Sequence, residues 1–154
     1  MNLRIYKVRK GAKAPVRAHA ADAGVDLFYC PDQTEHPLYG ADYCVHPGES
    51  KVVPTGIKVE VPYGFMLEIK NKSSVAAKKQ LLVGACVVDS GYNGEVFVNL
   101  HNVGPRACML HPGQKIAQAV MIPVEPCVVV ECRTDTLNDN STRGEGSLGS
   151  TGDR

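Results

Sequence analysis

Fifteen glycines and ten prolines punctuate a chain of 154 residues, and this spacing of breakers leaves little room for long helices. Between the breaks lie short runs in which apolar and polar residues alternate. In Phe65-Met66-Leu67-Glu68-Ile69-Lys70, the side chains of Phe65, Leu67 and Ile69 share one face. In Val96-Phe97-Val98-Asn99-Leu100-His101, Val96, Val98 and Leu100 do the same. Residues 3–9, 51–53, 57–61, 82–88, 115–122 and 127–132 also read as strands. Many short strands at this spacing predict an all-β fold, a jelly-roll-like barrel. One short helix is expected over Val75-Ala76-Ala77-Lys78-Lys79, capped by Ser73 or Ser74. The length suits one domain with a real core. From residue 134 the chain turns polar without apolar period, which divides it into a core, 1–133, and a linker and arm, 134–154. Residues 31–42 form a second irregular stretch, with two prolines.

Charge and cysteine usage narrow the function. Seventeen Lys and Arg against sixteen Asp and Glu give a formal net charge of +1, which argues against gripping long nucleic acid but leaves room for a small anionic ligand. No run approaches membrane-spanning length, and the first ten residues hold no apolar stretch of signal-peptide length. The six cysteines, Cys30, Cys44, Cys86, Cys108, Cys127 and Cys132, form no C-x-x-C pair. Reduced, buried thiols in a cytoplasmic protein are expected. The five histidines are scattered without an i, i+4 pair, so no His-based zinc site is expected.

Five stretches carry the polar chemistry. Ala23-Gly24-Val25-Asp26-Leu27 sets an acid at the head of an apolar run. Lys72-Ser73-Ser74 sets a cation and hydroxyls at a helix start, where anions are favoured. The chain from Gly84 through Cys86, Val88, Asp89, Tyr92 and Gly94 to Glu95 reads as strand, turn and strand. Gly113-Gln114-Lys115-Ile116-Ala117-Gln118 opens another strand. Last comes Arg143-Gly144-Glu145-Gly146-Ser147-Leu148-Gly149-Ser150-Thr151-Gly152, whose glycines, hydroxyls and guanidinium suit a segment that wraps phosphates. A phosphate loop of the strand–loop–helix kind needs a helix after it, and only Asp153 and Arg154 follow. Two readings remain: an arm that closes over a ligand held elsewhere, or a disordered Gly/Ser tail. Singly, the other stretches have plain readings too. Asp89 to Gly94 can be a mere hairpin turn, Asp26 a turn acceptor, Ser73 and Ser74 caps, and Gln118 a solvated side chain.

Together and in this order, the five stretches resemble the motifs of the trimeric dUTPase (dUTP pyrophosphatase) family, from about residue 18 to residue 152. The most specific part is Asp89-x-x-Tyr92-x-Gly94-Glu95 after an apolar strand. The resemblance implies hydrolysis of dUTP to dUMP and pyrophosphate by water attack on the α-phosphorus. It implies Asp89 as the catalytic base, Tyr92 packed under the deoxyribose, and the backbone of 86–92, Cys86 and Val88 included, reading the uracil edge. Lys72, Ser73, Ser74 and Gln118 fall at phosphate-chain positions, and Arg143, Gly149, Ser150 and Thr151 at γ-phosphate positions of the arm. Mg²⁺ would ride mainly on the triphosphate, with Asp26 orienting a metal-bound water. A homotrimer with shared sites is implied, and so is a cytoplasmic enzyme, in the host cytoplasm if encoded by a virus or phage. Three departures stand out: Lys72 replaces Arg, Ser74 replaces Gly, and Ser147-Leu148 replaces Gly-Phe, whose Phe stacks on uracil. The Ser73-Ser74 pair is also similar to dCTP deaminase, a relative in fold, but the deaminase's catalytic Glu would fall at Asn99. A regulatory or binding trimer is the third reading.

Overall fold

In the computed structural model, residues 2–32, 43–133, 137 and 140–142 are described. The arm positions Arg143, Leu148, Gly149, Ser150 and Thr151 therefore lie outside the described residues, as does the irregular stretch from residue 33 to residue 42. Eleven strands and one helix follow one another: β1 (Arg4–Lys7), β2 (Val25–Phe28), β3 (Tyr43–Val45), β4 (Ser50–Pro54), β5 (Ile57–Glu60), β6 (Phe65–Lys70), α1 (Ser73–Lys79), β7 (Leu81–Val83), β8 (Val87–Val88), β9 (Phe97–Asn102), β10 (Cys108–Leu110) and β11 (Lys115–Pro123). Every strand pair is antiparallel. The largest sheet has the order β2-β11-β6-β8, a second has β4-β9-β7, and two ribbons pair β1 with β5 and β10 with β3. This is the expected β architecture of jelly-roll type.

The alternating runs deliver their apolar faces to one core. Leu67 and Ile69 of β6, Val98 and Leu100 of β9, and Val53 of β4 are almost wholly buried, together with Ile57, Val45, Leu110 and Ile116. Each such side chain contributes roughly 1.5–3 kcal/mol through its removal from water. Strand β2 escapes the alternation because Asp26, Leu27 and Phe28 are buried in succession, on both faces. Strands β3 and β10 have only three residues each, too few to display a period.

Four expectations change. Residues 82–88 do not form one strand. Leu81–Val83 pairs with β9, and Val87–Val88 pairs with β6 in the other sheet. Gly84 lies at the crossing, where a Cβ would stand 2.2 Å from Asn99 Oδ1 and 2.3 Å from His101 Nε2. Helix α1 begins at Ser73, with Lys72 as its N-cap and no side-chain cap, so neither serine caps it. It ends at Gln80, which adopts a left-handed φ of 53° and returns its N–H to Ala76 O. Residues 127–132 have strand-forming residues but no ladder partner among the described residues, and Val128, Val129 and Val130 are 88%, 91% and 74% exposed. The cysteines are free, but only Cys30 is buried; Cys127 and Cys132 are exposed.

Candidate active site

The first, second and fourth motif stretches converge on the largest sheet. Gln118 of β11 lies directly opposite Asp26 of β2 on one side and Lys70 of β6 on the other. Two residues past Lys70, Lys72 reaches back and places Nζ 2.7 Å from Asp26 Oδ1. From β11, Lys115 Nζ stands 2.6 Å from Asp26 Oδ2. The carboxylate is buried, while the two lysines retain part of their exposure. The Gln118 amide donates through Nε2 to Asn71 O at 2.9 Å. Its other side rests on Gly24, where a Cβ would come within 2.6 Å of Gln118 Oε1, so a side chain there would push the amide aside. Ser73 and Ser74 open α1 beside this cluster with exposed side chains.

Burial pushes the Asp26 carboxyl up, but the ammonium groups of Lys115 and Lys72 push it further down, and the net position is below the ordinary 3.8. A carboxyl lowered in the folded state stabilises it above the unfolded value and ceases to do so as pH falls through the folded one. Acid unfolding of Asp26→Asn should therefore be flatter than that of the wild type below about pH 4, a difference that urea melts at pH 3 and pH 7 would reveal.

The third stretch forms a separate hairpin. Asp89 follows β8, and the turn closes through Tyr92 N donating to Asp89 O at 3.2 Å, with Gly91 at φ 90°. Ser90 Oγ donates to Val61 O at 3.1 Å, tying the turn to the body. The Tyr92 ring folds back so that its hydroxyl donates to Glu95 O at 3.0 Å. That fold requires Gly94, since a Cβ there would lie 2.2 Å from the Tyr92 hydroxyl. Asp89 and Tyr92 line a cavity of about 180 Å³ with Val87, Val88, Val96 and Phe97, and both present exposed side chains. This is smaller than the roughly 300–1,000 Å³ of a complete small-molecule site. A larger groove of about 440 Å³ runs across β1 and β5 but touches the hairpin only through Asn93. Its charged pair, Arg4 and Glu60 at 2.8 Å, lies on the open surface, and its lining holds no counterpart of Asp89.

The two clusters do not meet within one chain. Val88 lies opposite Leu67, whereas Gln118 lies opposite Lys70 and Lys72 lies further on. The three residues of strand from Leu67 to Lys70 span about 10 Å, and Asp89 continues away from that end. Cys86 sits nearer the phosphate-side cluster, its carbonyl accepting from Ile69 N at 2.6 Å. Two contacts beside these clusters were invisible to sequence reading. Arg9 grips Glu95, at the hairpin base, through both guanidinium nitrogens and also donates to Cys30 O at 3.3 Å. Lys115 had a place in the fourth motif, but nothing in its spacing told that it would face Asp26. Asn99, where a deaminase would carry an acid, is an amide that donates to Ser50 Oγ at 2.9 Å and Lys51 O at 3.4 Å.

Fold and site define an antiparallel β protein that presents an acid–aromatic hairpin on one edge and a lysine–carboxylate–amide cluster on another. The dUTPase family model matches residues 10–152. A deoxyuridine 5′-triphosphate nucleotidohydrolase of Gloeothece citriformis is 39% identical over 154 residues, with 99% of this chain and 97% of that protein covered. Among solved structures, a mutant dUTPase of Staphylococcus bacteriophage 80alpha with dUpNHpp superposes with a TM-score of 0.83 at 24% identity, over 98% of both chains. A mutant dUTPase of phage phi11 of S. aureus, described for its coordination of a structural Mg(II) ion, gives 0.75 at 21% identity, over 87% of this chain and 98% of that one. The chain belongs to the dUTPase family.

Proposed function

We propose that this protein hydrolyses dUTP to dUMP and pyrophosphate, with Asp89 as the base that orients and deprotonates the attacking water. The hairpin carries the reading: an acid at the head of a tight turn, with an aromatic folded over a glycine three residues later. The uracil edge meets backbone groups of 86–92, Cys86 and Val88 among them. Tyr92 lies under the deoxyribose and leaves no room for a ribose 2′-hydroxyl. Lys72, Ser73, Ser74 and Gln118 take the phosphate chain. The 134–154 arm closes over it through Arg143, Gly149, Ser150 and Thr151, with Leu148 toward the base. Holding water, α-phosphorus and acceptors in one geometry supplies the rate. Mg²⁺, when bound, would neutralise charge on the triphosphate. Among the described residues no group of three or more His, Cys, Asp or Glu side chains converges, and a Mg²⁺ held by phosphates and waters requires none. Asp26 would orient a water on such an ion; in this structure its two oxygens are held by Lys72 and Lys115. Free thiols fit a reducing compartment, and we place the enzyme in the cytoplasm.

The active unit is a homotrimer whose sites combine chains. The register along β6 supports this: Val88 faces Leu67 while Gln118 faces Lys70, about 10 Å further along the strand, and Asp89 runs the other way, yet both must reach one α-phosphate. So does the exposed valine run at 128–130, an unpaired apolar segment that a neighbouring subunit would cover. The direct test is pyrophosphate release from dUTP against dCTP, dTTP and UTP, with and without Mg²⁺. Release from dUTP alone supports the reading, and ammonia release from dCTP would replace it with deamination. Co-expressing an Asp89→Asn chain with a Gln118→Ala chain tests the sharing of sites. Mixed trimers contain sites with both residues intact and should recover part of the activity that each parent lacks. An active monomer by light scattering would refute the assembly.

A further inference from the structure

We infer that Lys115 is a phosphate-binding residue, and that Lys72, Asp26 and Lys115 form one net-cationic unit in which the buried carboxylate spaces two ammonium groups for the β- and γ-phosphates of the substrate. The inference rests on the dUTPase reading and deepens it. Its basis is a break in register. Along β11 and β2, Gln118 faces Asp26 and Ala117 faces Leu27, so an unbroken ladder would set Ile116 opposite Phe28. The ladder shifts between Lys115 and Ala117, and Lys115 takes that position instead. Cross-strand partners share a face, and residues two apart along a strand do as well. The bulge therefore turns Lys115 onto the face that carries Asp26 and Gln118, while Ile116 is fully buried. A bulge that re-aims one side chain beside a site is a recurrent device.

Charge decides what this arrangement can do. One carboxylate between two ammoniums is internally balanced only in part and leaves one positive charge over. The carboxylate is 6% exposed, whereas Lys72 and Lys115 keep 26% and 45% of their side-chain exposure. The positive heads face outward and the negative one inward. Lys13 adds to the same sign, with its ammonium 3.1 Å from Gly113 O and 5.4 Å from the Phe28 ring centre. A lysine is a point charge without the fork of arginine, so one Lys72 cannot make the bidentate contact of a guanidinium. Two lysines pinned to opposite oxygens of one carboxylate restore a two-point contact with a polyphosphate.

The experiment compares dUpNHpp with dUMP by calorimetric titration, with Mg²⁺, on wild type, Lys115→Gln, Lys115→Arg and Asp26→Asn/Lys115→Gln. If Lys115 meets the outer phosphates, Lys115→Gln weakens dUpNHpp by about tenfold, roughly 1.4 kcal/mol. It leaves dUMP, which lacks those phosphates, within about twofold. Lys115→Arg restores most of the loss, and the double variant stays weak. If instead Lys115 only balances Asp26, removing both charges brings dUpNHpp affinity back to the wild-type value, and the inference is overturned. Equal weakening of both ligands, or none, overturns it as well. Wild-type protein that binds neither ligand would overturn the proposed function itself, a result distinct from any change at Lys115. The exposure of Lys115 allows Lys115→Gln to fold, and circular dichroism checks that it has done so.

Discussion

Replacing Asp89 with Asn should lower dUTP turnover by about 10²–10⁴-fold and leave dUpNHpp affinity nearly unchanged. Asparagine keeps the size of the side chain and its power to accept a hydrogen bond, but it cannot take a proton from water. The backbone that fixes this position is independent of the side chain. Tyr92 N bonds to the Asp89 carbonyl, Ser90 Oγ bonds to Val61 O, and the Tyr92 hydroxyl bonds to Glu95 O. The hairpin should therefore hold its shape in the variant. The expected loss corresponds to about 3–5.5 kcal/mol of transition-state stabilisation. Pyrophosphate release under single-turnover conditions, paired with the analogue titration, measures both halves of the claim. Near-normal turnover would reduce Asp89 to a turn former.

Arg9→Met should cost about 2–4 kcal/mol of stability and lower the melting temperature by on the order of 10 °C. Glu95 is the reason. Its side chain is only 11% exposed, and Arg9 binds both of its oxygens. Gly56 N adds a bond of 2.7 Å. Methionine fills the space of the arginine stem but leaves a carboxylate in a poorly solvated place with one backbone donor. Arg9 is 20% exposed, so water relieves part of the penalty, and the estimate stands below that for a fully buried pair. Since the hairpin starts from Glu95 on one side, KM for dUTP should rise by several-fold in the variant at temperatures where it remains folded. Arg9→Met/Glu95→Gln should regain part of the stability, and the size of that recovery measures the coupling between the two residues. Full stability of Arg9→Met alone would show that Glu95 needs no partner.

The chemistry of this chain was more legible in its sequence than its geometry was. Asp89, Tyr92 and Gly94 stood together in one short stretch, and the fold keeps them together as a turn, so local spacing was enough. Strands β6, β9 and β11 were legible because one face of each is buried and the other is not, which writes a period of two into the residues. Strand β2 carried no such mark, being buried on both sides. The division of 82–88 between two sheets could not be read either, because the decisive partners, Asn99 and His101, lie more than a dozen residues away. The valine run at 128–130 shows the limit of propensity. β-branched residues favour a strand, but a strand forms only where another strand is present to pair with it. The Arg9–Glu95 grip spans 86 residues of sequence, and the turning of Lys115 toward Asp26 depends on one extra residue in a ladder. Neither leaves a local trace.

The crossing at Gly84 ties the two principal sheets with three residues of chain. Leu81–Val83 belongs to the sheet of β4 and β9, and Val87–Val88 to the sheet of β6 and β11. Neither sheet can lose its edge without pulling on the other, since the slack between them is too short to absorb a frayed strand. The molecule is thus sewn rather than stacked. Amide protons in β6 and β9 should exchange with solvent through one shared opening, at similar protection, instead of through two separate ones. The same stitch runs directly into Asp89, so the hairpin is anchored to both principal sheets at once.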